Sequence, residues 1–358
     1  MACLNNRYNK LEESFSGGSS DVHIYQDTNL ERKVAIKFLL PYREPRRMYD
    51  EIAALQRIRS KHVVQIYDIL VLQDLGNRVG LVQEYVEGQE LAPQTDPGAY
   101  LKCLYQIASG IADLHAQKLI HRDIKPYNMK VDDEGIIKIF DFDLARDLDN
   151  GHTNNFKGTP GYAAPELYGG YHVRFTPAVD IYAFGVCALF LSSMRIPECL
   201  RPVAPIPPQP RQWLDLGGFS HIGFDLPDSL RNLLNRTLEP TPDQRPDMAE
   251  IRDGLSTEIL KDTHKGLFVD QGSDQTHWLH KENDTARVNL LPLGALSVRY
   301  TGTAFEIAAV EGVVLINNQP VEVGRVIPQS CVIGFGPLDQ PRQRKFVTFD
   351  VSHPEVVL

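Results

Sequence analysis

The sequence lacks several features that would place it in other classes of protein. Its longest apolar run, residues 181–191, covers about half of the roughly 20 residues that a membrane-spanning helix requires. Residues 1–10 are polar, so no secretory leader is predicted. None of the five cysteines stands in a C-x-x-C pair, and the net charge of -9 argues against general nucleic-acid binding. We therefore expect a cytoplasmic globular protein in a reducing compartment, with no membrane and no nucleic acid among its partners.

The pattern of apolar residues changes along the chain. Residues 8–86 contain short apolar strands at 34–39, 63–72 and 79–85 and one helix at 46–60. Residues 89–262 are mainly helical, with a hairpin centred on 132–135, and the helix at 181–191 is apolar on all sides and should be buried on all sides. The proline-rich segment 197–210 is not expected to be helical; a rigid surface loop is favoured over a polyproline II segment that binds a partner protein.

The C-terminal part of the chain has a different character. Residues 263–284 are polar and are predicted to form a linker. Residues 285–358 alternate apolar and polar positions between turn signals such as Gly302 and Gly324, which indicates a small β-sandwich or barrel.

The most informative stretch is HRDIKPYN at residues 121–128, followed thirteen residues after Asn128 by Asp141-Phe142-Asp143. Phosphoryl transfer requires a base, a cation and metal ligands at such spacing. Asp123 is the candidate base that accepts or orients the proton of an attacking hydroxyl. Lys125 would neutralise charge on the transferred group, and Asn128 and Asp141 are the candidate magnesium ligands.

A second candidate group lies in residues 34–37, which read VAIK. Lys37 lies on an apolar strand and needs a partner. Glu51 shares a helix face with Met48 and Leu55, so its carboxylate points at apolar surroundings. A Lys37–Glu51 ion pair would resolve both unpaired charges.

Two further segments frame these groups. The loop FSGGSSDV at residues 15–22 offers the backbone N–H groups of Gly17 and Gly18 to phosphates. The segment GTPGYAAPE at residues 158–166 ends in Glu166, for which Arg245 is the expected partner. Asp180 is expected to anchor the backbone of the 121–128 loop.

Together these motifs resemble the eukaryotic-type serine/threonine protein kinases in their bacterial form. The resemblance covers residues 8–262, with lobes at 8–86 and 89–262, and is weakest at the glycine loop, where Phe15 replaces the first glycine. It implies ATP with magnesium, or manganese instead, protein substrates and autophosphorylation. It also implies a hinge near 84–86 with Gln83 as gatekeeper. The nucleotide-binding positions it implies are Gly17, Gly18, Val22, Ala35, Lys37, Glu84, Val86, Asn128 and Asp141.

The same resemblance suggests how the protein is regulated. Thr159 is the family's substrate-pocket threonine, expected to touch Asp123 and Lys125. This leaves Thr153 as the candidate activating phosphosite, with Arg122 and Lys138 as cations that receive its phosphate.

The C-terminal segment is similar to the second half of a forkhead-associated (FHA) domain, through VLINNQPV at 314–321 and VIGFG at 332–336. The residues that bind phosphothreonine in that family are not evident, so phosphopeptide binding is not expected. The alternative is an unrelated β-domain that packs on the kinase part, and a protein partner of this C-terminal domain is also expected as a possibility. The expected fold is α+β: a two-lobed protein kinase fold followed by a small all-β domain.

Two other functions compete with a protein kinase. Asp143 replaces the glycine of the family's D-F-G motif, and together with Phe15 this leaves open an ATP-binding pseudokinase that acts as a scaffold. A small-molecule kinase of similar fold is disfavoured by residues 158–166, which shape a peptide-binding surface in the family.

Overall fold

The computed structural model describes residues 3–17, 20–38, 52–53, 55–72, 78–141, 159–168, 175–201, 206–270, 276–352 and 354–357. The chain divides into two compact units, residues 1–255 and 256–357. The sequence predicts the division a few residues later, at 262. No helix in the described part of the chain is both long and apolar enough to cross a membrane.

The N-terminal unit begins with a six-stranded antiparallel sheet. Its strands are β1 (Cys3–Leu4), β2 (Tyr8–Gly17), β3 (Ser20–Asp27), β4 (Arg32–Phe38), β5 (Ile66–Leu72) and β6 (Arg78–Glu84). Their order across the sheet is β1-β2-β3-β4-β6-β5. Residues 34–38 of the central strand β4 are all buried, as its apolar sequence predicts. The three predicted strands are confirmed, and residues 52–53 and 55–57 of the predicted helix are helical.

The second part of this unit is mainly helical. Its helices are α1 (Pro97–Ala116), α2 (Ala178–Leu191), α3 (Pro210–Asp215), α4 (Asp228–Thr237) and α5 (Met248–Ile259). A small sheet of β7 (Gly88–Glu90), β8 (Met129–Asp132) and β9 (Ile137–Ile139) carries the predicted hairpin. The helix α1 begins at Pro97 because the Asp96 carboxylate caps it, accepting a 2.7 Å hydrogen bond from the Ala99 N–H.

Two predictions about this helical part are confirmed. The helix α2 is buried along almost its whole length. The described residues of 197–210 form only a short 3₁₀ turn, Glu198–Leu200, before α3 begins at Pro210. Gly110 lets α1 approach β9 closely, because a Cβ there would lie 2.8 Å from the side chain of Ile139.

The C-terminal unit is an all-β structure of two antiparallel sheets. Its strands are β10 (Gly266–Asp270), β11 (Thr276–Leu279), β12 (Thr285–Leu290), β13 (Gly294–Tyr300), β14 (Phe305–Gly312), β15 (Val314–Ile316), β16 (Gln319–Pro320), β17 (Ser330–Phe335) and β18 (Lys345–Val351). One sheet has the order β11-β10-β18-β17-β15-β16 and the other the order β12-β13-β14. Side chains of both sheets form one core, in which Phe305 meets Phe349 edge to face at 5.4 Å.

The predicted linker at 263–284 is wrong. It contains β10 and β11, and β10 pairs with β18 over residues 266–270. The prediction missed them because each strand is short and polar residues separate the two. Phe268 of β10 is fully buried, so this segment contributes to the core of the unit.

Candidate active site

One buried carboxylate, that of Asp180, holds the backbone of the loop at residues 121–128 in place. Asp180, in the first turn of α2, accepts 2.8 Å hydrogen bonds from the backbone N–H groups of His121 and Arg122. A ring nitrogen of His115 lies 3.0 Å from the same carboxylate. Burial would raise the pKa of Asp180, but the His115 ring and these N–H groups outweigh it and hold the pKa below its usual value. The predicted anchoring role of Asp180 is confirmed.

The loop brings Asp123, Lys125, Asn128 and Thr159 into one cluster. The Thr159 hydroxyl donates to Oδ1 of Asp123 at 2.6 Å. The Lys125 ammonium lies 2.6 Å from Oδ2 of Asp123 and 2.8 Å from the Thr159 hydroxyl. The Asn128 side-chain amide donates to the Asp123 carbonyl at 2.8 Å and to its carboxylate at 3.0 Å. A threonine hydroxyl and an ammonium therefore already meet the candidate base.

This cluster controls the charge of Asp123. Partial burial raises the pKa of the carboxyl, whereas hydrogen bonds from Lys125 and Thr159 lower it, and the net result is a pKa below the ordinary value of 3.8. Asp123 is therefore ionised throughout the neutral range and acts as a hydrogen-bond acceptor. An ionised carboxylate can accept a hydrogen bond from a hydroxyl, as Asp123 does from Thr159.

Lys37 forms an ion pair with Asp141. Its ammonium lies 2.6 Å from Oδ1 of Asp141, and the Lys37 side chain is only 6% exposed. The backbone of Asp141 has a φ of 63°, in the left-handed region that a non-glycine residue seldom adopts. Glu51, the predicted partner of Lys37, lies outside the described residues, and that pair stays a prediction.

The candidate nucleotide-binding positions converge on the first sheet. Val22 lies opposite Lys37 in the β3–β4 pair, and Ala35 lies opposite Gln83 in the β4–β6 pair. Gly17 pairs with Ser20 at the end of the β2–β3 hairpin. Gly18 lies outside the described residues. The sheet therefore places the β2–β3 hairpin, Lys37 and Gln83 on neighbouring strands, and their contact with a nucleotide stays a prediction.

Glu84, in the predicted hinge at residues 84–86, makes contacts that the sequence does not predict. The Glu84 carboxylate lies 2.8 Å from the Lys138 ammonium and accepts a 3.0 Å hydrogen bond from the Gln65 N–H. Lys138 also precedes Asp141 by three residues. Lys138 is thus paired with Glu84 when Thr153 carries no phosphate, and its use as a second receiver of a phosphate on Thr153 stays a prediction. Val86, beside it, is buried and accepts a hydrogen bond from Lys130 through its carbonyl at 3.4 Å.

The donor set fits a hard divalent cation. The Asn128 amide nitrogen is used by Asp123, which leaves the amide oxygen as a ligand, and Asp141 keeps a second carboxylate oxygen beyond its contact with Lys37. Among the described residues, no group of three or more His, Cys, Asp or Glu side chains could hold a metal ion. Two oxygen donors suit an ion such as Mg²⁺, which completes its shell with phosphates and water.

An ion pair between Glu166 and Arg245 attaches the segment at residues 159–168 to the helical part of this unit. Both terminal guanidinium nitrogens of Arg245 donate to the Glu166 carboxylate, at 2.7 and 2.9 Å. The Arg245 side chain is fully buried and also donates to backbone carbonyls of Ala178 and Glu239. The predicted pair is confirmed, and it holds the end of the 159–168 segment.

Asp143 and Thr153, like Glu51 and Gly18, lie outside the described residues. Arg122, the predicted receiver of a phosphate on Thr153, is described: its guanidinium stacks on the Phe175 ring at 4.3 Å from the ring centre, and its φ is 72°.

Comparisons with known proteins agree with this geometry. The sequence model of the family described as "Protein kinase domain" matches residues 8–254. Serine/threonine-protein kinase PrkC of Bacillus subtilis is 34% identical over 208 residues, which are 54% of this chain and 31% of that protein. A protein named as a probable serine/threonine-protein kinase of Clostridium acetobutylicum is 31% identical over 278 residues, which are 71% of this chain and 40% of that protein.

The family match covers well over half of the chain. The chain therefore belongs to the protein kinase domain family. Membership in this family implies the use of ATP and a divalent metal ion. The matched region spans between about 30% and 40% of the length of these two relatives.

Proposed function

We propose that this chain is a serine/threonine protein kinase that transfers the γ-phosphate of ATP to hydroxyl groups of proteins, itself included. The observation that carries the proposal is the contact of a threonine hydroxyl with the candidate base: the Thr159 Oγ1 atom lies 2.6 Å from Asp123 Oδ1. An acceptor hydroxyl that takes the same place has an ionised carboxylate and an ammonium beside it. The relatives named as serine/threonine-protein kinases support the same acceptor chemistry.

Each residue of the cluster has a distinct task in this proposal. Asp123 orients the attacking hydroxyl and accepts its proton. Lys125 stabilises negative charge on the phosphoryl group as it moves. Lys37 orients the Asp141 carboxylate and reaches toward the nucleotide phosphates.

The metal ion is proposed to be Mg²⁺, with Mn²⁺ as the alternative. Asn128 and Asp141 would hold it through one oxygen each. A bound divalent cation would supply positive charge that offsets the charge of the nucleotide phosphates.

One experiment separates this function from that of a scaffold that only binds ATP. The purified chain is incubated with labelled ATP, magnesium and a mixed serine and threonine peptide library, and phosphorylated sites are identified by mass spectrometry. Transfer that depends on Asp123 supports the proposal. If the chain binds ATP but shows no phosphoryl transfer that Asp123→Asn abolishes, it is not an active kinase.

We also propose that residues 256–357 form an FHA-like sandwich. Its support is that the two FHA-like segments form neighbouring strands: β15 and β16 lie at one side of the larger sheet, and β17 pairs with β15. A crystal structure compared with FHA domains tests it, and a different order of strands around the two sheets would contradict it. We expect no binding of phosphothreonine peptides by the full chain.

A further inference from the structure

An open groove of about 720 Å³ lies directly beside the Asp123 cluster. One wall is formed by Pro160, Gly161 and Tyr162, the residues that follow Thr159. The Thr159 hydroxyl touches Asp123, and consecutive residues of a chain are 3.8 Å apart. An acceptor hydroxyl must lie beside Asp123, where the Thr159 hydroxyl lies now. The groove therefore begins only one or two residue lengths from that position.

The floor of the groove is apolar and aromatic. Tyr127, from the 121–128 loop, is 65% exposed there, and Phe190 and Met194 from the end of α2 and the loop after it complete the floor. An exposed tyrosine next to the candidate metal ligand Asn128 contributes nothing to the core of the unit. Such a surface can bury an apolar side chain of a bound peptide.

The charges at the rim all have one sign. Arg195 and Arg201 both line the groove and both are exposed. Neither makes an ion pair with a described residue, whereas most other arginines of this unit do, among them Arg211 with Glu239 and Arg236 with Glu250. No aspartate or glutamate stands among the described residues that line the groove. The described lining of the groove is therefore positively charged, although the chain as a whole carries a net charge of -9.

From this arrangement we propose that the groove selects acidic substrate segments, in which aspartate or glutamate residues accompany an apolar residue next to the acceptor serine or threonine. The inference rests on the proposed kinase function and assigns the substrate class of that site. Arg195 and Arg201 determine the charge preference, and the apolar floor takes the neighbouring side chain. Exposed charges of this kind set selectivity and the rate of encounter more than total affinity.

The test uses two peptides with the same serine acceptor and the same apolar neighbour. One is flanked by glutamates and the other by lysines. For the wild-type chain, kcat/KM should favour the acidic peptide, mainly through a lower KM, and added salt should reduce this preference because the charges are exposed. The variants Arg195→Glu and Arg201→Glu should each shift the ratio of the two kcat/KM values by about tenfold toward the lysine-flanked peptide.

Lys118→Glu is the matched control, because Lys118 is an exposed cation of the same unit that does not line the groove. It should leave the ratio unchanged. Binding of the fluorescently labelled acidic peptide, measured by anisotropy, gives a readout that does not require transfer, and it should weaken in both arginine variants and not in the control.

The outcomes separate the two proposals. Transfer to both peptides with a ratio that the arginine reversals leave unchanged would overturn the inference and leave the kinase function standing. Transfer to neither peptide, nor to any member of the mixed library, would overturn the kinase function and with it the inference.

Discussion

Lys37 and Asp141 are separated by 104 residues, and yet the ammonium of the first lies 2.6 Å from the carboxylate of the second. The Lys37 side chain is 6% exposed and that of Asp141 is 29% exposed, so water screens this pair only in part. The contact joins the central strand of the first sheet to the residue that follows the β8–β9 hairpin. It places a candidate phosphate-binding cation beside a candidate metal ligand.

The first prediction concerns this pair. Lys37→Met and Asp141→Asn should each lower kcat/KM by about 10²-fold or more, since the first removes a cation proposed to reach the phosphates and the second a proposed metal ligand. The double variant should be little worse than either single one, because residues that act as a unit are not additive. Steady-state kinetics with a peptide substrate check this. Lys33→Met is the control on the same strand, because Lys33 is exposed and pairs with Glu87; it should behave as wild type. Independent, multiplying losses in the double variant would argue against a unit.

The second prediction separates transfer from nucleotide binding. Asp123→Asn keeps the size of the side chain and should lower the transfer rate by about 10²- to 10⁴-fold, because an amide cannot accept the proton. The affinity for ATP, measured by calorimetry with magnesium, should change little, since the contacts of Asp123 are with Lys125, Asn128 and Thr159. Undiminished transfer by the variant would remove Asp123 from the role of base.

The third prediction is a pH effect. The pKa of Asp123 is raised by burial and lowered more strongly by its hydrogen bonds, so the group stays ionised well below neutral pH. Lys125→Met removes a hydrogen bond and a positive charge and leaves the burial, so the pKa of Asp123 should rise. The acidic limb of the kcat profile should then move to higher pH, with kcat at neutral pH reduced by about 10²-fold. Profiles recorded for both proteins and for Lys118→Met check this, and acidic limbs that coincide would show that Lys125 does not set the charge of Asp123.

The fourth prediction concerns stability. Glu166→Ala leaves the fully buried guanidinium of Arg245 without its carboxylate and should lower the free energy of unfolding by about 3 kcal/mol. Glu250→Ala breaks the pair with Arg236, in which both side chains are nearly half exposed, and should cost less than about 1 kcal/mol. Urea unfolding of the two variants measures the difference. Equal losses would mean that the Arg245 charge is solvated after all.

The sequence predicts the members of the Asp123 cluster well because they lie in short motifs. Asp123, Lys125 and Asn128 fall within six residues, and Thr159 and Glu166 fall within one further segment. Their partners across the chain, Asp180 and Arg245, follow from the family resemblance and not from local pattern. A motif fixes which residues are present, and the fold must still bring them together.

Contacts between isolated residues could not be predicted. Glu84 and Lys138 are 54 residues apart and each looks like an ordinary surface charge in the sequence, although they form a 2.8 Å pair. Arg195 and Arg201 belong to no motif, and only the fold sets them beside Tyr127. The strands β10 and β11 were missed for a related reason: a short strand is stabilised by the neighbour it pairs with, and β18 lies almost eighty residues further along the chain.

That pairing has a consequence for how the C-terminal unit can be built into proteins. Gly266 at the start of β10 lies directly opposite Val351 at the end of β18. The first and last strands of this unit are therefore neighbours inside the sheet, and the chain enters and leaves them at the same end. Because its two ends lie close together, a unit of this kind can be inserted into a surface loop of another protein without stretching that loop.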